Sequence, residues 1–503
     1  MPRKKQENKK KNSKRQKKKR FQTVRGMRDI LPSEQPYWQK LRKVIEKIAV
    51  DYNYNRIDLP LIEDVDLFKR GTGEETDIVS KEIYEFKTKG GEKVCLRPEG
   101  TPSVVRAYLQ HGMRIAPKPV KLSYSGPMYR YDRPQEGRYR EFFQFGFEAL
   151  GEQDAVLDAQ MIQMAMRIFK TLKIHNVTLH LNSIGCDECR PSYNKLLISY
   201  LNNRKSSLCM DCKRRLKTNP LRVLDCKEEK CTQVVSQAPQ TVDHLCSDCK
   251  THFTSLLEYL DEIQIPYLLR PQLVRGLDYY TKTVFEFFME DDLGNQSALG
   301  GGGRYDYLVK KLGGPDTPAV GFACGMDRLV NAMKSQKTDT YQPPTPKVYL
   351  AQLGDVAKKK SLRIFEELER AGIMVAESFG RGNLRSQLSQ ANKINAEIVL
   401  IIGQREALDG TAILKDMNSG GQETIPLDKI IKEVKKRLHK NAEMIKKIAK
   451  QKAEQEKKKK IKKAKKKTQA KAKKKPKKKK VTIKRKPKKK VAPKRKTKKK
   501  TKK

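Results

Sequence analysis

Leu273-Val274-Arg275-Gly276-Leu277-Asp278-Tyr279-Tyr280, followed by Thr283-Val284-Phe285-Glu286, stands where the texture of the chain changes. Residues 182–264, ahead of it, read as helices carrying paired cysteines. From Tyr279 to Glu286 the pattern becomes strand-like and leads to Gly300–Gly303, and Ala319–Cys324 then enters a predicted helix at Met326–Met333. Upstream of the cysteines, the strand-like runs Val120–Tyr131 and Arg140–Leu150 flank a charged loop, Asp132–Arg138, as the arms of a hairpin in an antiparallel sheet do. A helical, cysteine-rich domain inserted into sheet-forming sequence accounts for that order.

Further out, Ser33-Glu34 opens a predicted helix whose Leu41, Val44, Ile45, Ile48 and Ala49 form one apolar stripe, and short strands are expected over Tyr54–Pro60 and Val94–Arg97. Residues 335–347, rich in Thr, Pro and Gln, read as a linker. Beyond it comes strand Val348–Leu353, helix 357–371, strand Ile373–Val375, helix 384–393, strand Glu397–Ile402, a hairpin at 411–417 and 422–427, and helix 428–438. Such alternation predicts a small, mostly parallel sheet covered by helices. The expected organisation is a disordered basic arm (1–20), the first part of a sheet-containing domain (21–181), the insertion (182–264), the second part of that domain (265–334), the linker, an α/β domain (348–438) and a disordered Lys-rich tail (439–503).

The net charge of +52 is concentrated at the ends. Residues 1–20 hold 12 basic residues and one acid, and residues 441–503 hold 35 and three, so +43 lies in the two tails. Without apolar residues to offset chain entropy, neither tail is expected to fold alone. Such a lysine run reads either as a solvated solubility tail or, in the favoured reading, as a polycation that gains salt-sensitive, sequence-independent affinity for RNA through counterion release. No apolar run reaches the ~18–20 residues needed to span a bilayer, and no apolar stretch follows the N-terminal lysines, so a cytoplasmic protein without membrane contact is expected. In that compartment the ten cysteines read as packed thiols or metal ligands. Eight of them fall in pairs, Cys186/Cys189, Cys209/Cys212, Cys226/Cys231 and Cys246/Cys249, and suit tetrahedral zinc in two four-cysteine sites.

Leu96-Arg97-Pro98-Glu99-Gly100-Thr101 offers a carboxylate and a hydroxyl at a tight turn, suited to an amino group. Gln144 and Glu148 project from one strand face. Tyr129-Arg130-Tyr131-Asp132-Arg133-Pro134 brings guanidinium forks to a loop, as phosphate binding requires. Glu99, Thr101, Gln144 and Glu148 together could surround a small cationic ligand. Gly300–Gly303 is not a phosphate loop, because no Gly-Lys-Ser/Thr follows, and close backbone approach is the better reading. The six histidines are scattered and take structural or surface roles.

The segment 273–286 resembles the signature of histidyl-tRNA synthetases, and further motifs agree in order: Arg25–Asp29, Leu96–Thr101, the hairpin around Arg130, Gly302–Asp306, and Ala319–Phe322 through Asp327-Arg328-Leu329. The resemblance spans residues 21–438. It implies a class II catalytic domain with an antiparallel sheet flanked by helices, a homodimer built partly through residues 33–62, an anticodon-binding domain at 348–438, and ATP with Mg as substrate. It further implies that histidine is activated as histidyl-adenylate and passed to tRNA(His). Arg130 would meet the α-phosphate and the substrate carboxylate, Phe142 would stack on adenine, Arg328 would lie near adenine and the γ-phosphate, and Arg275 would act at the α-phosphate. Glu99, Thr101 and Gln144 would hold the α-amino group. Glu148 and Tyr280 would take the imidazole nitrogens, with Tyr279 and Tyr305 in the same pocket. Arg133 and Gln135 are acceptor-stem candidates, and Arg381, Asn383 and Arg385 anticodon-stem candidates, with a surface helix cap as the alternative. Asp132 departs from the Arg-x-Glu pattern common in class II enzymes. A non-catalytic synthetase-like regulator would lack the Arg275 segment and the anticodon domain; an RNA-binding scaffold would leave the ordered pocket residues unexplained.

Overall fold

The computed structural model describes residues 21–133, 137–290, 296–380 and 383–444, with Lys447 and Gln451. The arm 1–20, Gln135, Arg381 and nearly all of the Lys-rich tail lie outside the described residues. The chain forms two compact units that divide between Pro343 and Pro344.

In the first unit the strands are β1 (Asn55–Arg56), β2 (Ile62–Asp64), β3 (Tyr84–Lys87), β4 (Lys93–Leu96), β5 (Val120–Tyr129), β6 (Glu141–Leu150), β7 (Val177–Ser183), β8 (Tyr267–Leu269), β9 (Thr281–Glu290), β10 (Gln296–Arg304) and β11 (Ala319–Gly325). Eight of them make one sheet in the order β1-β5-β6-β11-β10-β9-β7-β8, antiparallel except at its two edge pairs. The remaining three form a small antiparallel sheet, β2-β4-β3.

Strand alternation gives the large sheet two chemically different faces. Phe145, Phe147 and Ala149 of β6, Phe285 and Phe287 of β9, and Val320, Phe322 and Cys324 of β11 are buried in one core with helices Gln35–Asp51, Ala155–Thr171, Ser247–Glu262 and Met326–Ser335. The intervening Gln144, Glu148, Glu286 and Gly321 face the opposite way. The stripe expected on the first helix is present: Leu41, Ile45, Ile48 and Ala49 are buried with Trp38, and Val44 packs beside them.

Between β7 and β8 lie helices Arg190–Asn202, Met210–Thr218, Glu229–Val235 and Ser247–Glu262, joined by short 3-10 turns. The last of them returns Phe253, Leu256 and Leu260 to the main core.

In the second unit, β12 (Val348–Gln352), β13 (Val375–Glu377), β14 (Ile398–Ile402), β15 (Thr411–Asp416) and β16 (Gln422–Pro426) lie in the order β13-β12-β14-β15-β16. Two pairings are parallel and two antiparallel, so the sheet is mixed rather than mostly parallel. Strand β13 begins two residues later than the apolar pattern suggests, because Ile373 still closes the preceding helix by donating to the Leu368 carbonyl. The last helix starts at 430 and continues at least through 444, past the expected end at 438. Leu438 still packs on the core, and Lys440, Ala442, Glu443 and Met444 beyond it are good helix formers that extend it.

Arg304 is fully buried: its Nε donates to Asp158 Oδ2 at 2.8 Å, and its other nitrogens reach the carbonyls of Glu152 and Asp154 and the Asp306 carboxylate. His252 lies 3.3 Å from the second Asp158 oxygen. Removing one member leaves a buried charge without its partner, so Arg304→Ala should destabilise the first unit by about 3–5 kcal/mol. The chain's single tryptophan, Trp38, is buried in that unit, so its emission during urea unfolding checks the value.

Candidate active site

The polar face of the large sheet forms the floor of a cleft of about 470 Å³. Glu99, Thr101, Arg130, Phe142, Gln144, Glu148, Arg275, Tyr279, Tyr280, Tyr305 and Arg328 all line it. Residues up to 229 positions apart in sequence thus meet in one place. Arg133 is exposed outside that lining.

Two carboxylates lie at the floor. Glu148 projects from β6, where its Oε1 accepts from the Thr101 hydroxyl and its Oε2 from the Tyr305 hydroxyl, each at 2.7 Å. Glu99 comes from the turn before helix Thr101–Gln110 and accepts from Thr72 Oγ1 at 2.6 Å and from the Tyr279 hydroxyl at 2.8 Å. Burial raises the pKa of both, that of Glu148 to about 8. Room for Glu148 depends on Gly321 of β11, where a Cβ would overlap Glu148 Oε2. Gly301 of β10 serves the arginine side likewise, since a Cβ there would stand 2.8 Å from Arg275 Nη1. The glycine run therefore permits close approach, as its sequence suggests. Gln144 Oε1 is buried without a hydrogen-bond partner among the described residues.

The other wall is cationic. Arg130 donates from Nε to the Pro98 carbonyl at 2.9 Å, and its guanidinium lies 5.4 Å from the centre of the Phe142 ring. Arg275 pairs with Glu286 of β9 at 3.1 Å. Burial opposes its charge, but Glu286 and the neighbouring tyrosines outweigh that and hold it protonated more firmly than a free guanidinium. Arg328 bonds the Ala298 carbonyl. Burial and the neighbouring Arg138, with a smaller contribution from Arg130, lower its pKa, a strain that a bound polyanion would relieve.

Several positioning groups escaped sequence reading. Arg28 donates to Asp327 Oδ1 at 3.0 Å and to Glu34 at 2.6 Å, while Asp327 Oδ2 accepts from the Phe143 backbone N–H at 2.9 Å. This clamp fixes the helix bearing Arg328 against the strand bearing Phe142 and Gln144. Both Arg28 and Asp327 belong to quoted motifs, but a partnership across 299 positions has no local signal. Thr72, Glu286 and Asp77 join the site in the same unadvertised way.

The eight paired cysteines separate into two clusters, Cys186/Cys189/Cys246/Cys249 and Cys209/Cys212/Cys226/Cys231, each with its sulfurs within 4.8 Å of one another. All are free thiols. Separations of 3.7 Å (Cys186 to Cys189), 3.8 Å (Cys186 to Cys246) and 3.9 Å (Cys209 to Cys226) match the edge of about 3.8 Å of a tetrahedron of sulfurs bound at ~2.3 Å. Backbone N–H groups of Cys246 and Cys209 point at Cys189 and Cys231 Sγ, at 3.1 and 3.2 Å. Both clusters could hold a metal ion.

In the second unit Asn383 caps helix Leu384–Lys393, its Oδ1 accepting from the Arg385 and Ser386 backbone N–H groups. The helix-cap reading of Asn383 therefore holds.

A family model described as histidyl-tRNA synthetase matches residues 26–329, and one described as an anticodon binding domain matches residues 347–437. The chain belongs to the histidyl-tRNA synthetase family. The histidine–tRNA ligase of Dehalococcoides mccartyi (strain ATCC BAA-2266 / KCTC 15142 / 195) is similar at 48% identity over 418 residues, 83% of this chain and 100% of that protein. That of Desulforamulus reducens (strain ATCC BAA-1160 / DSM 100696 / MI-1) is 43% identical over 82% of this chain and 98% of its own. The crystal structure of apo S. aureus histidyl-tRNA synthetase superposes with a TM-score of 0.69 at 33% identity, covering 82% of this chain and 99% of that one. The match to histidyl-tRNA synthetase takes in every segment that lines the cleft.

A carboxyl group whose folded pKa exceeds its unfolded one holds its proton more tightly when folded. The Glu148 proton therefore makes stability fall as pH rises from the ordinary 4.5 towards about 8, by up to ~1.4 kcal/mol per pH unit. Glu148→Gln should flatten that slope between pH 5.5 and 7.5 in urea unfolding followed by Trp38; equal slopes in the two proteins would contradict the shift.

Proposed function

We propose that the chain activates histidine with ATP and transfers it to tRNA(His). The observation that carries this reading is the union, in one cleft, of two buried carboxylates with tyrosine partners and a wall of arginines. The first fits a small dipolar ligand with a polar ring; the second fits a triphosphate.

MgATP enters as substrate. The histidine carboxylate attacks the α-phosphorus, the bond to the β-phosphate oxygen breaks, and pyrophosphate leaves with its electron pair. The terminal ribose hydroxyl of tRNA then attacks the acyl carbon, its proton is lost, and AMP leaves. The attacking carboxylate is already anionic, so no protein nucleophile is needed; orientation and charge neutralisation supply the rate. Arg275 and Arg130 neutralise the α-phosphate, and neither can lose its proton at neutral pH. Phe142 stacks on adenine beside Arg328. Glu99, Thr101 and Gln144 take the α-amino group, the buried Gln144 oxygen serving as an acceptor. Glu148 and Tyr280 read the two ring nitrogens, with Tyr279 and Tyr305 holding the carboxylates in place. Glu148 keeps lone pairs free beyond those used by Thr101 and Tyr305.

The enzyme works as a cytoplasmic homodimer assembled partly through residues 33–62. Its two cysteine clusters bind structural zinc, the ion suited to four thiolates in a tetrahedron. Arg133 and Gln135 face the acceptor stem, Arg381 and Arg385 face the anticodon stem, and the lysine tails add affinity for RNA of any sequence.

Histidine-dependent exchange of pyrophosphate into ATP tests the assignment. Arg275→Ala should lower its kcat about 10²–10³-fold, the usual cost of removing one preorganised charge-stabilising group. Exchange that survives the substitution, or that needs no histidine, would contradict the reading. Deleting residues 452–503 should leave exchange unchanged while weakening RNA binding and flattening its dependence on salt; identical salt slopes would rule out the tail's role.

A further inference from the structure

The segment that carries Arg275, Tyr279 and Tyr280 has no regular secondary structure from 271 to 280. No ladder of backbone hydrogen bonds fixes it, although its side chains must be placed to a fraction of an ångström for chemistry. Asn182 of β7 donates to the Pro271 and Leu273 carbonyls, the Thr72 carbonyl accepts from the Asp278 N–H and Glu286 pairs with Arg275, and the cysteine-rich insertion adds further contacts. Arg222 Nη1 reaches the Arg275 carbonyl at 3.5 Å, and Asn219 donates to Asp278 Oδ1 at 2.8 Å. Both residues lie in the short segment between Cys212 and Cys226, two members of the inner cluster. That segment is further pinned to the cleft through Asp77, whose Oδ2 accepts from Arg215 at 2.7 Å and from Arg222 at 3.1 Å. The outer cluster contributes in the same manner: Arg190, next in sequence to Cys189, donates to the Tyr280 carbonyl.

Each cluster therefore neighbours a side chain that holds a backbone carbonyl of the substrate-facing segment. Residues 219–228 form only a 3-10 turn and irregular chain, so closing the loop from Cys209 to Cys231, together with the Asp77 ion pairs and the burial of Val223 and Leu224, restricts where Asn219 and Arg222 can stand. We infer that zinc in the inner cluster, which touches no substrate, sets the position of Arg275 through Arg222 and Asn219, and so controls adenylate formation. This rests on the function proposed above. Asn219, outside the cleft lining, and Arg222, whose side chain also reaches it, are positioning residues in that scheme. The dependence falls on kcat, because Arg275 acts on the charge that develops at the α-phosphorus.

The test uses the full-length chain. Zinc released by a mercurial and read colorimetrically should give two ions per chain for the wild type and one for Cys226→Ser. Arg222→Ala should keep both. Each variant should retain the cooperative urea transition of Trp38 and lose about tenfold in the kcat of histidine-dependent pyrophosphate exchange. Because the cysteine change acts through Arg222 as well as Asn219, the double variant should lose no more than Cys226→Ser alone, about tenfold. Full exchange in the one-zinc variant, losses that multiply to about a hundredfold, or a zinc-free wild type would overturn the inference. Should Cys226→Ser fail to fold, Arg222→Ala decides, and an unchanged kcat in it overturns the coupling. A wild type that binds two zinc ions yet exchanges no pyrophosphate with histidine overturns the functional reading, and the inference with it.

Discussion

Two carboxylates kept out of water at the floor of one cleft are the constraint around which the catalytic unit is arranged. Glu99 and Glu148 are almost wholly buried, and a buried carboxylate persists only where hydrogen bonds compensate its desolvation. Thr72 and Tyr279 supply them to one, Thr101 and Tyr305 to the other. Those four donors come from four separate segments, so the hydroxyl network ties together the 65–72 helix, the 101–110 helix and the loops flanking β9 and β10. The glycine at 321 follows from the same demand, since any side chain there would displace Glu148. Selectivity is a consequence: a ligand that failed to meet these polar atoms would leave them buried and unpaired, a penalty larger than the gain from filling the space.

Against that floor the arginines form a wall whose charges repel one another until an anion arrives. Burial and the nearby Arg138 and Arg130 lower the pKa of Arg328, whereas at Arg275 Glu286 and the neighbouring tyrosines outweigh burial. The arrangement is held from outside by ion pairs that touch no ligand. Arg28 joins Glu34 to Asp327, and Asp327 in turn holds the strand bearing Phe142 and Gln144. Orientation is thereby fixed before any ligand binds, as catalysis by preorganised charge requires.

Much of this was legible in the sequence where one face of an element is buried. The stripe from Leu41 to Ala49 announces its helix because solvent lies on the other side. Helix Thr101–Gln110 gave no such signal: it is buried nearly all round, so no polar face marks its period. The pocket residues could be named from their motifs, but the motifs are silent about partners. Nothing near Thr72 advertises its bond to Glu99, and nothing in the spacing of eight cysteines says that Cys186/Cys189 closes with Cys246/Cys249 around the other four. Such pairings are properties of chain topology.

The central claim is that the floor reads the two ring nitrogens of its amino acid rather than the ring's shape. The most direct measurement compares kcat/KM for pyrophosphate exchange with histidine and with 2-thienylalanine, which has a five-membered ring of similar size and no ring nitrogen. Unpaired Glu148 and Tyr280 should cost the analogue a factor of about 10⁴ or more. Discrimination of only about tenfold, the value that fit alone provides, would contradict the account.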